Sequence, residues 1–259
     1  MYQSILYSVI EKKCSITINR AEKRNAFNAE LVEELKAAFR KAESDEKVKV
    51  IILTGAGDVF SAGADLAYLQ SLQNNSLEEN TDDSKRLTEL YMLIYTLQKP
   101  VIAKINGHAI AGGCGLATVC DFAISVSHAQ FGYTEVKIGF VPAIVMVFLL
   151  RKISETHAKE LLLTGKLIDA NTALQYNMIN KVVSAAELDD AVNVLAEELI
   201  QNTSRSAVQI TKLMIAQVQE LSLDDAIILA AQINAKARAT KDCKYGIQSF
   251  LEKKKPIWE

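Results

Sequence analysis

Three prolines and eleven glycines are few for a chain of 259 residues, since average usage runs near roughly 5% and 7%. So few turn-formers exclude collagen-like, disordered and turn-rich all-β chains. Histidine is scarcer still, with His108, His128 and His157 alone, so a multi-histidine metal site or a histidine triad has little to draw on. The four cysteines (Cys14, Cys114, Cys120, Cys243) form no CxxC pair, and reduced, buried thiols of a cytoplasmic-type compartment are the expectation. Charge of one sign is missing as well: 29 basic against 31 acidic residues leave a net −2. That balance gives no electrostatic ground for a nucleic-acid or anionic-membrane partner. The longest apolar run, 141–150, is interrupted by Pro142 and falls well short of the ~20 residues that span a bilayer. The opening MYQSILYSVIEKK has no basic lead before an apolar stretch, so no secretory signal is expected.

What glycine there is, is concentrated. Gly55, Gly57 and Gly63 share one window, and Gly107, Gly112, Gly113 and Gly115 another. A helix-rich chain that gathers its glycines in two places is bringing backbone close to something there. Around these windows strand and helix signals alternate. CSITIN (14–19) reads as a strand and AELVEELKAAFRKAE (29–43) as a helix with Asn28 as its N-cap. VKVIIL (48–53), VIAKIN (101–106) and FAISV (122–126) are short apolar strands. Alternation of this kind predicts an α/β fold with parallel strands and crossover helices. From about Glu187 onward the pattern is helical almost without break and predicts two or three helices with broad apolar faces. The polar stretch 72–83, LQNNSLEENTDD, reads as a mobile surface loop. No internal repeat is visible.

Familiar site patterns are missing. GAGDVF at Gly55 carries Phe60 where a dinucleotide fingerprint needs its third glycine. No phosphate-binding G-x-x-x-x-G-K-[ST], no HExxH and no G-x-S-x-G is present. Two other segments, VFSAGADLAYL (59–69) and INGHAIAGGCGLATVCDFAIS (105–125), each run from a strand through small residues into a helix. The first N–H groups of such a helix lack internal partners, and two converging sets would bind an oxyanion. Each alone reads more readily as a tight turn or close packing, with Asp65 a helix cap. A third segment, AQFGYTEVKIGFVPA (129–143), follows.

Together the three segments resemble the enoyl-CoA hydratase/isomerase, or crotonase, superfamily, and the similarity runs from INRAEKRNAFN at Ile18 to the FLEKKKP tail at Phe250. The resemblance implies a crotonase-type spiral of ββα repeats over residues 1–200, with a C-terminal helical oligomerisation segment over 201–259. It implies a homotrimer or hexamer, an acyl-CoA thioester as substrate, and neither metal nor cofactor beyond the coenzyme A of that substrate. By the same resemblance Ala64 and Gly112 would donate their N–H groups to the thioester oxygen, and Glu135 would be the catalytic carboxylate. The Ala62 carbonyl would meet the adenine of coenzyme A. Asp65, Leu66, Arg24, Gly115, Tyr133, Phe250 and Lys253 are expected to line or contact the substrate, the last two from a neighbouring subunit.

The pattern departs from the best-known hydratases at Gly115, where they carry a first catalytic glutamate. Two carboxylates suit water addition across a 2-enoyl thioester; one suffices to move a proton between C2 and C4. The sequence is most like a bacterial subgroup acting on branched acyl-CoAs, with the 3-methylglutaconyl-CoA/3-hydroxy-3-methylglutaryl-CoA couple as the example. A substrate with its own distal carboxylate makes a missing enzyme carboxylate more tolerable, since like charges repel in a dry pocket. The expectation is therefore a cytoplasmic lyase hydrating a 2-enoyl-CoA. A Δ3,Δ2-enoyl-CoA isomerase is the first alternative, and a non-catalytic CoA- or RNA-binding relative the second.

Overall fold

A computed structural model describes residues 2–258. The chain opens with an antiparallel hairpin, β1 (Ile5–Ile10) and β2 (Lys13–Ile18). The helix α1 (Ala29–Ser44) follows; its N-cap Asn28 accepts the Leu31 N–H, and Leu31, Leu35, Ala38, Phe39 and Ala42 recur at helical spacing to form its buried face.

Three units of one design come next. Each has a strand, a second strand of three residues, and a helix. The first is β3 (Val50–Gly55), β4 (Val59–Ser61) and the helices α2 (Leu66–Leu72) and α3 (Leu77–Thr96). The second is β5 (Val101–Ile105), β6 (His108–Ile110) and α4 (Gly112–Val119). The third is β7 (Phe122–Val126), β8 (Gln130–Gly132), a 3-10 turn over Glu135–Ile138, and α5 (Ala143–Lys152). Then follow α6 (Glu155–Thr164), β9 (Ile168–Asp169), α7 (Ala170–Gln175) and β10 (Lys181–Val183). The first strands join a six-stranded sheet, β1-β2-β3-β5-β7-β10, parallel from β2 onward. The short second strands build another sheet, β4-β6-β8-β9, in which β4, β6 and β8 are parallel. Two sheets fed alternately by successive strands are what makes the chain spiral.

Helices α8 (Leu188–Gln201), α9 (Arg205–Val218), α10 (Leu223–Arg238) and α11 (Lys241–Leu251) complete the chain. Four helices stand where the periodicity predicts two or three, because Ser204, Ser222 and Thr240 each restart the helix as an N-cap. The expected loop over 72–83 is also corrected. Ser76 and Glu79 form a reciprocal capping box, and α3 runs on from Leu77 through the acidic stretch. None of the described helices is long and apolar enough to cross a membrane. Cys14, Cys114 and Cys120 are buried free thiols, while Cys243 is half-buried.

Lysines close several helix ends. The Lys99 amine donates to the Ala42 and Asp45 carbonyls at the end of α1, Lys49 to Ile200 and Thr203 after α8, and Lys152 to Thr118 and Cys120 after α4. Each satisfies carbonyls with no intrahelical donor and sets a cation at the negative end of a helix dipole. Asn25 does similar work in the β2–α1 loop. Wholly buried, its amide donates to the Ala56 and Val59 carbonyls at 2.9 and 2.7 Å and accepts the Arg20 N–H at 3.0 Å. Its backbone lies at φ 54°, a region asparagine enters more readily than most residues. Asn25→Ala strands two buried carbonyls and a buried N–H, and should cost about 3 kcal/mol, read as a lower urea midpoint with an unchanged slope.

Candidate active site

The three motif turns all leave the carboxyl ends of parallel neighbours. β6 pairs with β4 on one side and β8 on the other, and paired strands lie roughly 4.8 Å apart. Ala62–Asp65 follow β4, Ala111–Gly112 follow β6, and Tyr133–Glu135 follow β8. Sheet register therefore brings together residues more than seventy positions apart in sequence.

The first turn is held open toward the cleft. Phe27 N–H donates to the Gly63 carbonyl at 2.6 Å and Asp65 N–H to the Phe27 carbonyl at 2.8 Å, a single parallel bridge between Phe27 and Ala64. In that pattern the Ala64 N–H points away from Phe27, and it meets no acceptor among the described residues. Asp65 caps α2 by accepting the Ala67 N–H at 2.9 Å and pairs with Arg20 at 3.1 Å. Burial pushes its carboxyl up, but the Ala67 N–H and the Arg20 guanidinium outweigh that and hold it below the usual carboxylate range. Asp65 is thus a structural anchor, while Leu66 beside it is 80% exposed. Arg24 lends its backbone carbonyl to the Ala62 N–H at 3.0 Å, which places its exposed side chain beside this turn.

The second turn is strained. Ala111 sits at φ 50°, ψ −126°, a conformation costing an alanine on the order of 1–3 kcal/mol. It is held there by its own N–H on the Gly132 carbonyl at 2.7 Å and by the Gly115 N–H on its carbonyl at 3.0 Å. The strain turns the chain sharply into α4, and the Gly112 N–H at the helix start meets no acceptor among the described residues. The two arms touch: a Cβ added at Gly63, which lies at φ +87°, would come within 2.9 Å of Ala111 Cβ and 3.3 Å of Gly112 N. Two unpartnered N–H groups, one backed by a helix dipole, are the donor type that binds a developing oxyanion.

Glu135 opens the 3-10 turn after β8. Its Oε2 is buried without a hydrogen-bond partner, and burial lifts its carboxyl above the usual range although its own N–H pulls the other way. An unpartnered, desolvated carboxylate is the environment of a general acid or base.

Other expected residues are placed differently. Gly115 lines no open surface: it is buried, and a Cβ there would collide with Val145 Cγ1 and lie 3.3 Å from the Tyr91 hydroxyl. Valine on α5 fills the niche because nothing on α4 projects into it. Tyr133 is also corrected: it is wholly buried, and its hydroxyl lies 2.9 Å from Thr118 Oγ1, packed under α4. Phe250 and Lys253 belong to α11 and the turn after it, which pack on α9 and α10, so within one chain they are not brought to the cleft. Tyr91, whose hydroxyl donates to the Gly112 carbonyl at 2.7 Å, and Val145 lie in the site unannounced by any motif. The polar tip of Tyr91 on the apolar face of α3 is the one sequence cue to it. A cavity of about 560 Å³ between α9 and the far end of α4, bordered by Tyr95, Phe148 and Lys212, includes none of Ala64, Gly112 or Glu135.

This geometry agrees with what the chain is similar to. The family profile described as enoyl-CoA hydratase/isomerase matches residues 11–259. The crotonyl-CoA hydratase of Syntrophomonas wolfei is 36% identical over 256 residues, covering 98% of this chain and 97% of that protein. The short-chain-enoyl-CoA hydratase of Clostridium acetobutylicum is 32% identical over 250 residues, 94% of this chain and 93% of that one. The crystal structure of a Mycobacterium smegmatis enoyl-CoA hydratase superposes with a TM-score of 0.93 at 28% identity, covering 99% of both chains. The fold is the crotonase fold, and the chain belongs to the enoyl-CoA hydratase/isomerase family.

Because Val145 occupies the niche, Gly115→Glu cannot simply restore a second carboxylate. It should destabilise the protein by about 1–3 kcal/mol through overpacking, and Gly115→Glu combined with Val145→Ala should regain part of that loss. Thermal melts of the two variants check this.

Proposed function

We propose that the protein reversibly hydrates a 2-enoyl-CoA through a thioester enolate, with Glu135 as the only carboxylate that moves protons. The observation that carries this reading is the buried, unpartnered Oε2 of Glu135 on the turn that follows β8, one strand from the Gly112 arm. Ionised Glu135 takes a proton from water as the water oxygen bonds to C3. The C2=C3 pair moves toward C1, and the negative charge on the thioester oxygen is met by the Ala64 and Gly112 N–H groups. Glu135 then returns the proton to C2 as the enolate collapses. Water is consumed, one C–O and one C–H bond form, and the carboxylate is regenerated without a redox partner.

For the acyl group, the branched 3-methylglutaconyl thioester is the finer reading, supported by the single-carboxylate site and the sequence pattern around Gly115. The same absence favours a second reading, isomerisation, in which Glu135 carries one proton from C2 to C4 of a 3-enoyl-CoA. Turnover of crotonyl-, 3-methylglutaconyl- and 3-enoyl-CoA in D2O separates them, because hydration changes product mass by one water and isomerisation does not. Glu135→Gln should lower either activity by more than about a hundredfold. As general base, Glu135 must be ionised, so kcat/KM for hydration should fall as pH drops through its raised pKa.

The raised pKa has a consequence for stability. A carboxyl that binds its proton more tightly when folded lowers stability as pH rises from the ordinary glutamate value through the folded one. Glu135→Gln should therefore melt higher than the wild type at pH 7, and the gap should close below about pH 4.5, near the unperturbed glutamate value.

The C-terminal helices expose Leu223, Ile227 and Ile228 on α10 and Phe250 and Leu251 on α11. We read this surface as buried between subunits of a trimer or a dimer of trimers, with Phe250 and Lys253 reaching a neighbour's nucleotide. Light scattering should return three or six chain masses.

A further inference from the structure

We propose that Tyr91 is a positioning residue of the oxyanion arm: its phenol pins Gly112, and together with Val145 it fills the niche where a second carboxylate would stand. This rests on the enolate reading above. Tyr91 lies on α3 and is wholly buried, and its hydroxyl donates to the Gly112 carbonyl at 2.7 Å. The same oxygen is 3.3 Å from the points where Cβ atoms of Gly112 and of Gly115 would stand. Those residues are three apart on α4 and share one face. The phenol therefore runs along the face from which a carboxylate at position 115 would project. The tilted contact of its ring with Phe148, centroids 5.9 Å apart, holds it there.

Gly112 needs such a hold. Without a Cβ it has no strong preference for any one backbone direction, and it follows an alanine kept at positive φ. One side of the turn is anchored by the Ala111 N–H on the Gly132 carbonyl. Tyr91 anchors the other. The peptide that carries the Gly112 N–H is held through its Ala111 carbonyl by the Gly115 N–H, and Tyr91 fixes the next peptide through the Gly112 carbonyl. Releasing the second lets the Gly112 dihedrals relax and tilts the N–H, where a hydrogen bond weakens steeply with angle. The phenol acts as a donor and not as a base, because burial first and the facing charge of Glu135 second keep it protonated.

A positioning role predicts a split between kcat and KM. The N–H of Gly112 matters most when charge develops on the thioester oxygen, and ground-state binding depends on contacts that Tyr91 does not make. Tyr91→Phe should lower kcat about tenfold with KM within twofold and the acidic limb of the pH profile unmoved. Acetoacetyl-CoA supplies an independent readout, since its bound enolate absorbs in the near ultraviolet. The wild type should show the band, and Tyr91→Phe should need about tenfold more ligand to show it. Tyr95→Phe, one turn further along α3, should behave as wild type. If Tyr91→Phe keeps wild-type kcat and enolate affinity, the assignment is wrong. If the wild type forms no enolate and turns over no enoyl-CoA, the hydration reading falls and this one with it. Should Tyr91→Phe not fold, 3-fluorotyrosine at position 91 keeps the shape and alters the donor strength of the O–H. Its kcat should change with KM within twofold, and a kcat equal to that of the wild type would overturn the proposal.

Discussion

Everything the site does depends on three strands of three residues each running parallel. β4, β6 and β8 are too short to stabilise a sheet by themselves, and their pairing is secured from outside by the larger sheet and by the helices that follow each of them. Because they are parallel, their carboxyl ends fall on one edge, and whatever follows each strand is delivered to the same place. The open positions at strand ends are where α/β folds generally bind ligands. Here the middle strand supplies a helix N-terminus, one neighbour a free N–H, and the other a carboxylate. Close approach then limits side-chain size: a Cβ at Gly113 would meet the Ser61 backbone, and one at Gly63 would meet Ala111. The concentration of glycine in a glycine-poor chain is the imprint of that crowding.

The same fact decides what was legible in the sequence. The long strands β2, β3, β5 and β7 and the helix α1 were legible because an apolar run or a helical period of five or more residues carries a signal of its own. Asn28 could be read as a cap because capping is local. The second strands VFS, HAI and QFG were not legible, since three residues have no period to detect, and so the repeat they mark went unseen. The capping box of Ser76 and Glu79 was in the sequence, but an acidic stretch without apolar period obscured it. Ala64, Gly112 and Glu135 could be placed only through resemblance, because their meeting is a property of register. Tyr91 and Val145 escaped altogether. Each is an apolar-face residue of a helix, and only the fold shows that the face borders a site.

Gly115 changes its meaning in the fold. In the sequence it stands for a lost carboxylate, a gap in an otherwise complete pair. In the structure the space it leaves is taken by Val145 from α5 and the phenol of Tyr91 from α3. Three elements have been adjusted to one another, so a glutamate returned at this position would meet a wall. A site remodelled around a single carboxylate has different electrostatics from a two-carboxylate site. Burial raises the Glu135 carboxyl, with no like charge among the causes that would raise it further.

Helix α4 ties these features together. Its eight residues are buried from Gly113 onward, so its end groups have little water to turn to and depend on the protein or a ligand. At the C-terminal end Lys152 donates to the Thr118 and Cys120 carbonyls at 3.0 Å each. At the N-terminal end the Gly112 N–H is left unpaired and the Gly112 carbonyl is held by Tyr91. A lysine amine at the negative end and a free N–H donor at the positive end is the arrangement a helix dipole favours. Negative charge developing beside Gly112 would therefore enter a field already set for it. The strained Ala111, the unpartnered N–H groups and the desolvated Glu135 each weaken the folded state, and the three are gathered at one edge of the small sheet.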